Sequence, residues 1–546
     1  MVKIPARLGW LTKHSSELLV AMAASLGYMT IGLVRGWSSP GLPSMLDLDP
    51  ELVPNDEIVS WVSAVPPLGA MIGSLAVAPA LQHLGRKRSL LLAAPVFVAG
   101  WLLIAFATSS AMLICARVLC GFCAGLVIPC AQVYVSESAH AKTRGMLGSL
   151  PALFMAGGVL ISYVLGTWLT WRSLALASAA FPALLFLCLL PLPESPAWLL
   201  SHGRVDDAKA SLRWLKRSAD VAAVELNVVQ RADGGVAPSS RAAGPGERER
   251  RLSELTERSP RAPRSPGAAA LSTDEELDKH ADREIADIAA DERRRSIVMK
   301  GPTAGDLSFK AFLRRPVLLP FGLCLALLGF QQVSGIDTVI FYTVEIFMAS
   351  GGSINEYLAT ILIGVVQLVC TMLSVLVIDK TGRRPLLLVS GATTALAMAL
   401  VGAYFHLHER GRADGLGLLP VASLVLFMVG FSVGYANIPF LLMGELLPVR
   451  QRSVLSSLAG SFNLGTMFLV IKTYPQLRRA LGTDGAFWLY AALCLASCLF
   501  VALLLPETKG KTLDEIECYF EGKHQRAKEK RKAKLAAAAE SVSTKV

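Results

Sequence analysis

The chain has 546 residues, of which 53% are hydrophobic and 17% charged, and its mean hydropathy is +0.49. A soluble domain of this size carries far more polar surface, so these values exclude a soluble enzyme or scaffold and point to a polytopic membrane protein. The formal net charge of +11 does not indicate a nucleic-acid partner, because Lys and Arg lie mainly between and beyond the apolar segments, where the positive-inside bias places them.

The N-terminus is short and basic (Lys3, Arg7, Lys13) and runs into an apolar stretch with no small-residue cleavage site. It reads as the approach to a first span rather than a removable signal. A crossing of the hydrocarbon core needs about 20 mostly apolar residues. The spans expected on that basis are 18–38, 58–80, 89–108, 112–134, 146–167 and 172–191, then 316–340, 357–378, 385–406, 418–441, 453–472 and 485–505. The fold class is therefore all-α, a polytopic membrane protein with twelve transmembrane helices in two six-helix bundles. The bundles are expected at 1–191 and 316–505, joined by a linker at 192–315 and followed by a tail at 506–546.

Loop charge sets the orientation. The loops after spans 2, 4, 8 and 10 carry ten Lys/Arg, and the opposite loops carry six, counting Arg172 at a span edge. The first opposite loop, 39–57, has no Lys or Arg and five acidic residues. Both termini and the basic loops are thus expected in the cytoplasm. The contrast is weaker in the second half, where Arg410, Arg412, Lys472, Arg478 and Arg479 fall outside. Nine of the ten cysteines lie in apolar spans and Cys518 lies in the tail, so no disulfide framework is implied.

Within the linker, Val205–Arg217 reads as an amphipathic helix. Residues 231–268 are rich in Arg, Pro, Ser, Gly and Ala and have little to bury, which predicts disorder. Ser253, Ser259 and Ser265 there are candidate phosphosites, against the simpler reading of a tolerated insertion. Ser272-Thr273-Asp274-Glu275 offers a capping box, and the charged run to Arg295 reads as a solvated helix.

Three motifs recur in the same order about 300 residues apart. Gly85-Arg86-Lys87-Arg88 is matched by Gly382-Arg383-Arg384. Tyr134-Val135-Ser136-Glu137 is matched by Met443-Gly444-Glu445, with Arg144 and with Arg450 and Arg452 close behind. Pro193-Glu194-Ser195-Pro196 is matched by Pro506-Glu507-Thr508. The register implies an internal duplication of a membrane bundle, the architecture of a transporter with its path between the halves. Short turns need Gly for their backbone angles, and arginines at a membrane edge bind carboxylates in forked geometry. Glu137, Glu194, Glu445 and Glu507 are the candidate partners of Arg86, Arg117, Arg144, Arg383, Arg384 and Arg450 in a latch that shuts the cytoplasmic side in one state and breaks in the other.

Together with Arg117, Arg144-Gly145, Gln331-Gln332-Val333-Ser334-Gly335, Asp379-Lys380-Thr381 and Lys509-Gly510, these motifs resemble the sugar porter family of the major facilitator superfamily. The resemblance covers nearly the whole chain except 218–300 and the last twenty residues. Gly36-Trp37-Ser38-Ser39-Pro40, Asp337-Thr338-Val339-Ile340-Phe341-Tyr342 and Gly444-Glu445-Leu446-Leu447-Pro448 resemble insect facilitated trehalose and glucose transporters. The resemblance implies the major facilitator fold and alternating-access transport of a sugar across the plasma membrane. It implies no enzymatic activity and no cofactor, and the sequence itself shows neither metal-ligand spacing nor a P-loop for ATP.

Five positions depart from the family. Gln82-His83 stands where Asp-Arg usually precedes the first Gly-Arg turn, which predicts a weaker first-half latch. Ala152 stands in place of a span-5 Gln, Phe440 in place of a span-10 Trp and Met467 in place of a second span-11 Asn. The substrate site is expected from Gln331, Gln332 and Asp337 in span 7, Gln367 in span 8, Phe440 in span 10 and Asn463 in span 11. Amides suit sugar hydroxyls because each donates and accepts without fixed charge. The plain alternative for each is an interhelical hydrogen bond. Gln331 and Thr338 share a face on a regular helix and Asp337 does not, unless the helix unwinds at Ser334-Gly335. Met29 follows Gly27-Tyr28 where proton-coupled members carry an acid, which favours a facilitator. Asp337 leaves a proton symporter open, and the long linker leaves a non-transporting sensor open. Arg35 and Glu345 are expected to reach the membrane interface.

Overall fold

The computed structural model describes residues 15–139, 143–202, 204–216, 315–351, 355–413, 415–448, 451–511, 515, 516, 519 and 520. The helices of the first half are α1 (Ser15–Gly36), α2 (Ser38–Leu48), α3 (Asp56–His83), α4 (Arg86–Ala105), α5 (Ser110–Ser138), α6 (Arg144–Leu165) and α7 (Trp171–Leu189). The short α8 (Pro196–Ser201) and α9 (Val205–Lys216) follow. The second half has α10 (Arg315–Val333), α11 (Ile336–Ser350), α12 (Glu356–Thr381), α13 (Arg383–Glu409), α14 (Leu419–Val433), α15 (Ile438–Leu446) and α16 (Arg452–Leu504).

Twelve crossings account for these helices. α10 and α11 form one crossing broken at Ser334–Gly335, and α14 and α15 form one broken at 434–437. A straight helix as long as α16 would extend about 80 Å, more than twice the hydrocarbon thickness. It folds back at Gly482, where φ is +80°, and so supplies two crossings. N-caps are placed as the sequence chemistry requires. Asn55 accepts from Ile58 N–H at 2.9 Å, and Asn355 accepts from Tyr357 and Leu358 N–H at 3.1 and 3.2 Å.

Residues 1–203 and 302–546 form one compact unit that contains every crossing, and 204–301 form a second. Within the second, α9 carries Ala208, Ser211 and Leu215 buried along one face, the spacing of an amphipathic helix. The predicted disordered stretch 231–268, the capping box at Ser272 and the charged run to Arg295 lie outside the described residues.

The segment after span 1, read from the sequence as the loop 39–57, begins as a helix. Residues 38–48 form α2, with Ser38, Ser39, Pro40, Leu42 and Met45 buried. The turn signals are overridden because α2 seals the end of α7. Trp37 Nε1 donates to Trp171 O at 3.2 Å, Trp171 N donates to Ser44 Oγ at 3.2 Å and Trp171 Nε1 donates to Asp49 at 2.9 Å.

Candidate functional site

The break in span 7 organises the centre of the molecule. Gly335 has φ +88°, a conformation that costs other residues on the order of 1–2 kcal/mol. Ser334 Oγ turns back onto Gln331 O at 2.7 Å. The last turn of α10 therefore presents Gln331 and Gln332, and α11 restarts with Asp337 in its first turn, fully buried.

The α10 amides join span 11 through Asn463. Gln332 Nε2 donates to Asn463 Oδ1 at 3.0 Å, and Asn463 Nδ2 donates to Gln331 Oε1 at 3.1 Å and to Leu328 O at 3.3 Å. Gln331 Nε2 donates to Tyr435 O at 2.8 Å, in the break of span 10. Two broken helices are thus tied together where their own backbone bonding lapses, as interrupted membrane helices require. Gln332 Oε1 remains buried with no hydrogen-bond partner in the protein, and so does Gln367 Oε1 on α12. Phe440 lies in the first turn of α15 and is 44% exposed. The structure therefore brings Gln331, Gln332 and Asn463 into one network. It draws neither Gln367 nor Phe440 into that network by a hydrogen bond.

Thr338 does not share the Gln331 face, because the helix is broken between them. It meets Tyr490 with 3.0 Å between hydroxyl oxygens. Asn437, which the sequence reading passed over, donates to Ser374 Oγ at 2.9 Å from the start of α15. Its position four residues after Val433, in a Gly-Tyr-Ala-Asn run inside an apolar span, was the available signal.

Asp337 is bound to Arg35 of the opposite half by an ion pair. Arg35 therefore does not reach the interface as expected. The carboxylate of α11, brought round by the break, holds it between the halves. Glu345 is likewise paired rather than free, accepting from Arg478 Nη1 at 2.6 Å. Further polar contacts join the halves on the same side. Tyr163 OH donates to Ile340 O at 2.8 Å, Val344 N donates to Ser39 Oγ at 3.1 Å, Lys472 Nζ donates to Ser60 Oγ at 2.6 Å, and Arg479 pairs with Asp56. All of these residues lie toward the end opposite the Gly-Arg turns.

At the Gly-Arg end, two equivalent clamps are built. Gly85 and Gly382 adopt φ +92° and +98°. Each turns the chain so that a glutamate sits on the N-terminus of the following helix, where free N–H groups and the helix dipole favour an anion. Glu194 accepts from the N–H groups of Arg86 and Lys87 at 2.8 and 2.9 Å. Glu507 accepts from those of Arg383 and Arg384 at 3.1 and 3.0 Å. Arg86 Nη2 then donates to Glu137 at 2.8 Å, and Arg383 Nη2 donates to Glu445 at 2.9 Å. Each of these second glutamates also accepts a hydroxyl, Ser195 on Glu137 and Thr508 on Glu445. Arg384 Nη2 donates to Ala502 O.

These clamps differ from the expected latch. Every contact just named lies within one half. The first clamp is complete despite Gln82-His83, whose backbone takes part through the bond from Trp198 Nε1 to Gln82 O at 3.1 Å. Arg117 does not join a clamp at all. It lies near the Ser110 end of α5, about 30 Å along the helix from Glu137. There its buried guanidinium donates to Val62 O at 3.1 Å, Val34 O at 2.9 Å and Ser38 Oγ at 2.5 Å. It fastens α1, α2 and α3 together. Arg450 and the side chain of Arg144 lie outside the described residues.

The family model for sugar (and other) transporters matches residues 38–237 and 259–520. The chain is 33% identical over 512 residues to a protein of Apis mellifera ligustica named facilitated trehalose transporter, covering 93% of this chain and 89% of that one. It is 34% identical over 503 residues to the protein of that name from Bombyx mori, covering 92% and 86%. Among solved structures, an inward-open xylose transporter from E. coli superposes with a TM-score of 0.67 at 20% identity, over 92% of this chain and 99% of that one. The same transporter described as a proton:xylose symporter bound to 6-bromo-6-deoxy-D-glucose gives 0.65 at 20% identity, over 93% and 100%. The chain belongs to the sugar transporter family and has the twelve-helix, two-bundle fold of the major facilitator superfamily.

Proposed function

We propose that this protein is a facilitative carrier that moves trehalose or glucose down its gradient by alternating access, with bundles 1–191 and 316–505 rocking about a site near the membrane midplane. The observation that carries the reading is the amide network of Gln331, Gln332 and Asn463 at the span-7 break. Its free carbonyl, Gln332 Oε1, is buried and unpaired, so a sugar hydroxyl that donates there recovers the hydrogen bond it loses to water. Gln367 Oε1 offers a second such acceptor. Asp337, Phe440 and Asn463 complete the proposed binding set. The named relatives support trehalose as the first sugar to test.

The basic end is assigned to the cytoplasm and the membrane to the plasma membrane, which places the contacts between Arg35 and Asp337 and between Arg479 and Asp56 on the outer side. On this assignment the contacts that join the halves close the outer side, as an inward-facing state of the cycle requires. Flux of radiolabelled trehalose and glucose into proteoliposomes, with and without a pH gradient, is the test. Equilibration independent of the gradient is expected. Accumulation driven by protons identifies a symporter, and binding without flux identifies a sensor.

A further inference from the structure

The outer closure is ionic and has two tiers. The inner tier is Arg35 with Asp337, whose side chains are 21% and 0% exposed. The outer tier is Arg479 with Asp56, exposed at 64% and 51%. Beside it Lys472 bonds Ser60 at 2.6 Å and lies 4.6 Å from the centre of the Trp61 ring. A cavity of about 190 Å³ lies at this level, lined in part by Leu46, Asp56, Tyr342, Glu345 and Arg478. The tiers explain an oddity of the sequence. Lys472, Arg478 and Arg479 sit at the outer end of span 11, against the positive-inside bias. Two of the three reach across to the first half, and Arg478 holds Glu345 of α11.

We propose that the Arg35–Asp337 pair is the lock of the outer gate, with Arg35 acting as a positioning residue for Asp337 and for the span-7 break. Arg35 Nε and Asp337 Oδ2 are each buried without another partner in the protein. Separating the pair leaves the carboxylate of Asp337, which is fully buried, as an uncompensated charge. Breaking the pair therefore requires water to reach Asp337, and outward opening is coupled to hydration of this carboxylate. The exposed outer tier lies within reach of salt, since the Debye length is about 8 Å at physiological ionic strength. The inner tier, with Asp337 fully buried, is shielded from it more strongly. The inference rests on the alternating-access reading, but its test reads accessibility rather than sugar flux, so the two fail separately.

Ser39→Cys places a reporter at the gate, because Ser39 is 1% exposed and bonds Val344 across the halves. The full chain in liposomes, sorted for outward orientation, is labelled from outside with a membrane-impermeant maleimide, and modification at position 39 is followed by peptide mass spectrometry. The neutral pair R35Q/D337N is expected to label about tenfold faster than the parent, within the usual range of coupling between sites. The charge-swapped pair R35D/D337R is expected to return the rate toward the parent. Raising external salt should speed labelling in the parent and do so less in Arg479→Gln. An unchanged rate in the neutral pair overturns the proposal, as does a swap that labels as fast as the neutral pair. A neutral pair that does not fold, with the swap folding no better, assigns the residues to assembly and overturns it equally.

Discussion

Arg383 donates to Glu445 at 2.9 Å, and both belong to the second half of the molecule. The first half repeats the contact with Arg86 and Glu137 at 2.8 Å. A latch between halves needs partners drawn from both. These pairs instead brace each half internally, joining helix ends that are far apart in sequence. In a carrier that rocks, such braces serve by keeping each bundle a rigid body, so that sugar occupancy is converted into rotation rather than local bending.

Because each clamp joins one arginine to one glutamate across its own half, Arg86→Ala and Arg383→Ala are expected to destabilise the protein by similar amounts, although Arg383 donates to Glu445 through Nε as well as Nη2 and Arg86 reaches Glu137 through Nη2 alone. Charge-assisted bonds of this kind contribute about 1.5–3 kcal/mol, and the side chains are only 15–21% exposed, so solvent screening removes little of it. Thermal unfolding of the purified variants in detergent measures this. A much larger loss for Arg383→Ala would restore the expectation that Gln82-His83 weakens the first half.

Glu507 gives the second clamp a defined acid limit. Burial pushes its carboxyl up, but N–H groups of Lys509, Arg383, Arg384 and Thr508 together outweigh burial and hold it below the usual carboxylate range. A depressed folded-state value means that its stabilisation is fully present above the unfolded value, about 4.3. It is lost as pH falls through the folded value. The clamp should therefore survive at pH 5 and weaken only in stronger acid. Melting curves from pH 7 to pH 3 should flatten at the acid end in Glu507→Gln. Identical acid profiles for parent and variant would place the acid-sensitive group elsewhere.

Gln332→Ala removes the free carbonyl and the bond to Asn463 together. Loss of one hydrogen bond to a sugar costs about 0.5–1.5 kcal/mol, or roughly a twofold to twelvefold rise in KM. Surface expression should be retained, because Asn463 keeps its bonds to Gln331 and Leu328. Concentration-dependent uptake with matched expression decides the point. An unchanged KM moves the site away from span 7.

Much of this was legible in the sequence, and the reasons differ by feature. Span number follows from apolar length alone, and the Gly-Arg turns announce themselves through backbone chemistry that only Gly supplies. The break at Ser334-Gly335 was readable for the same reason. The Arg35–Asp337 pair was not, because its partners are 302 positions apart and a single sequence carries no sign of which distant charges meet. Helix α2 was hidden by Pro40, Gly41 and Pro43, turn residues that tolerate helix when tertiary contacts with α7 favour it. Arg117 is a different case. The span limits 112–134 already placed it at the end opposite the turns, and grouping it with the basic motifs ignored its depth.

Gly335→Ala tests the break directly. A Cβ there would lie 3.0 Å from Tyr490 Cδ2, 3.1 Å from its Cγ and 3.3 Å from Met398 Cε. Those atoms would have to yield by a few tenths of an ångström, and φ of +88° adds strain of about 1–2 kcal/mol for any residue with a Cβ. Relief by re-forming a regular helix through 333–337 would swing Asp337 off Arg35 and turn Gln331 and Thr338 onto one face, dismantling the amide network and the outer contact together. Transport should fall far more than folded protein does, with both KM raised and maximal rate lowered. Serine at 335 should fare no better, since its side chain meets the same atoms. Uptake kinetics normalised to surface protein measure the effect. Near-parental transport by Gly335→Ala would mean that a continuous seventh helix supports the site, and that the break is not what positions Gln332 and Asp337.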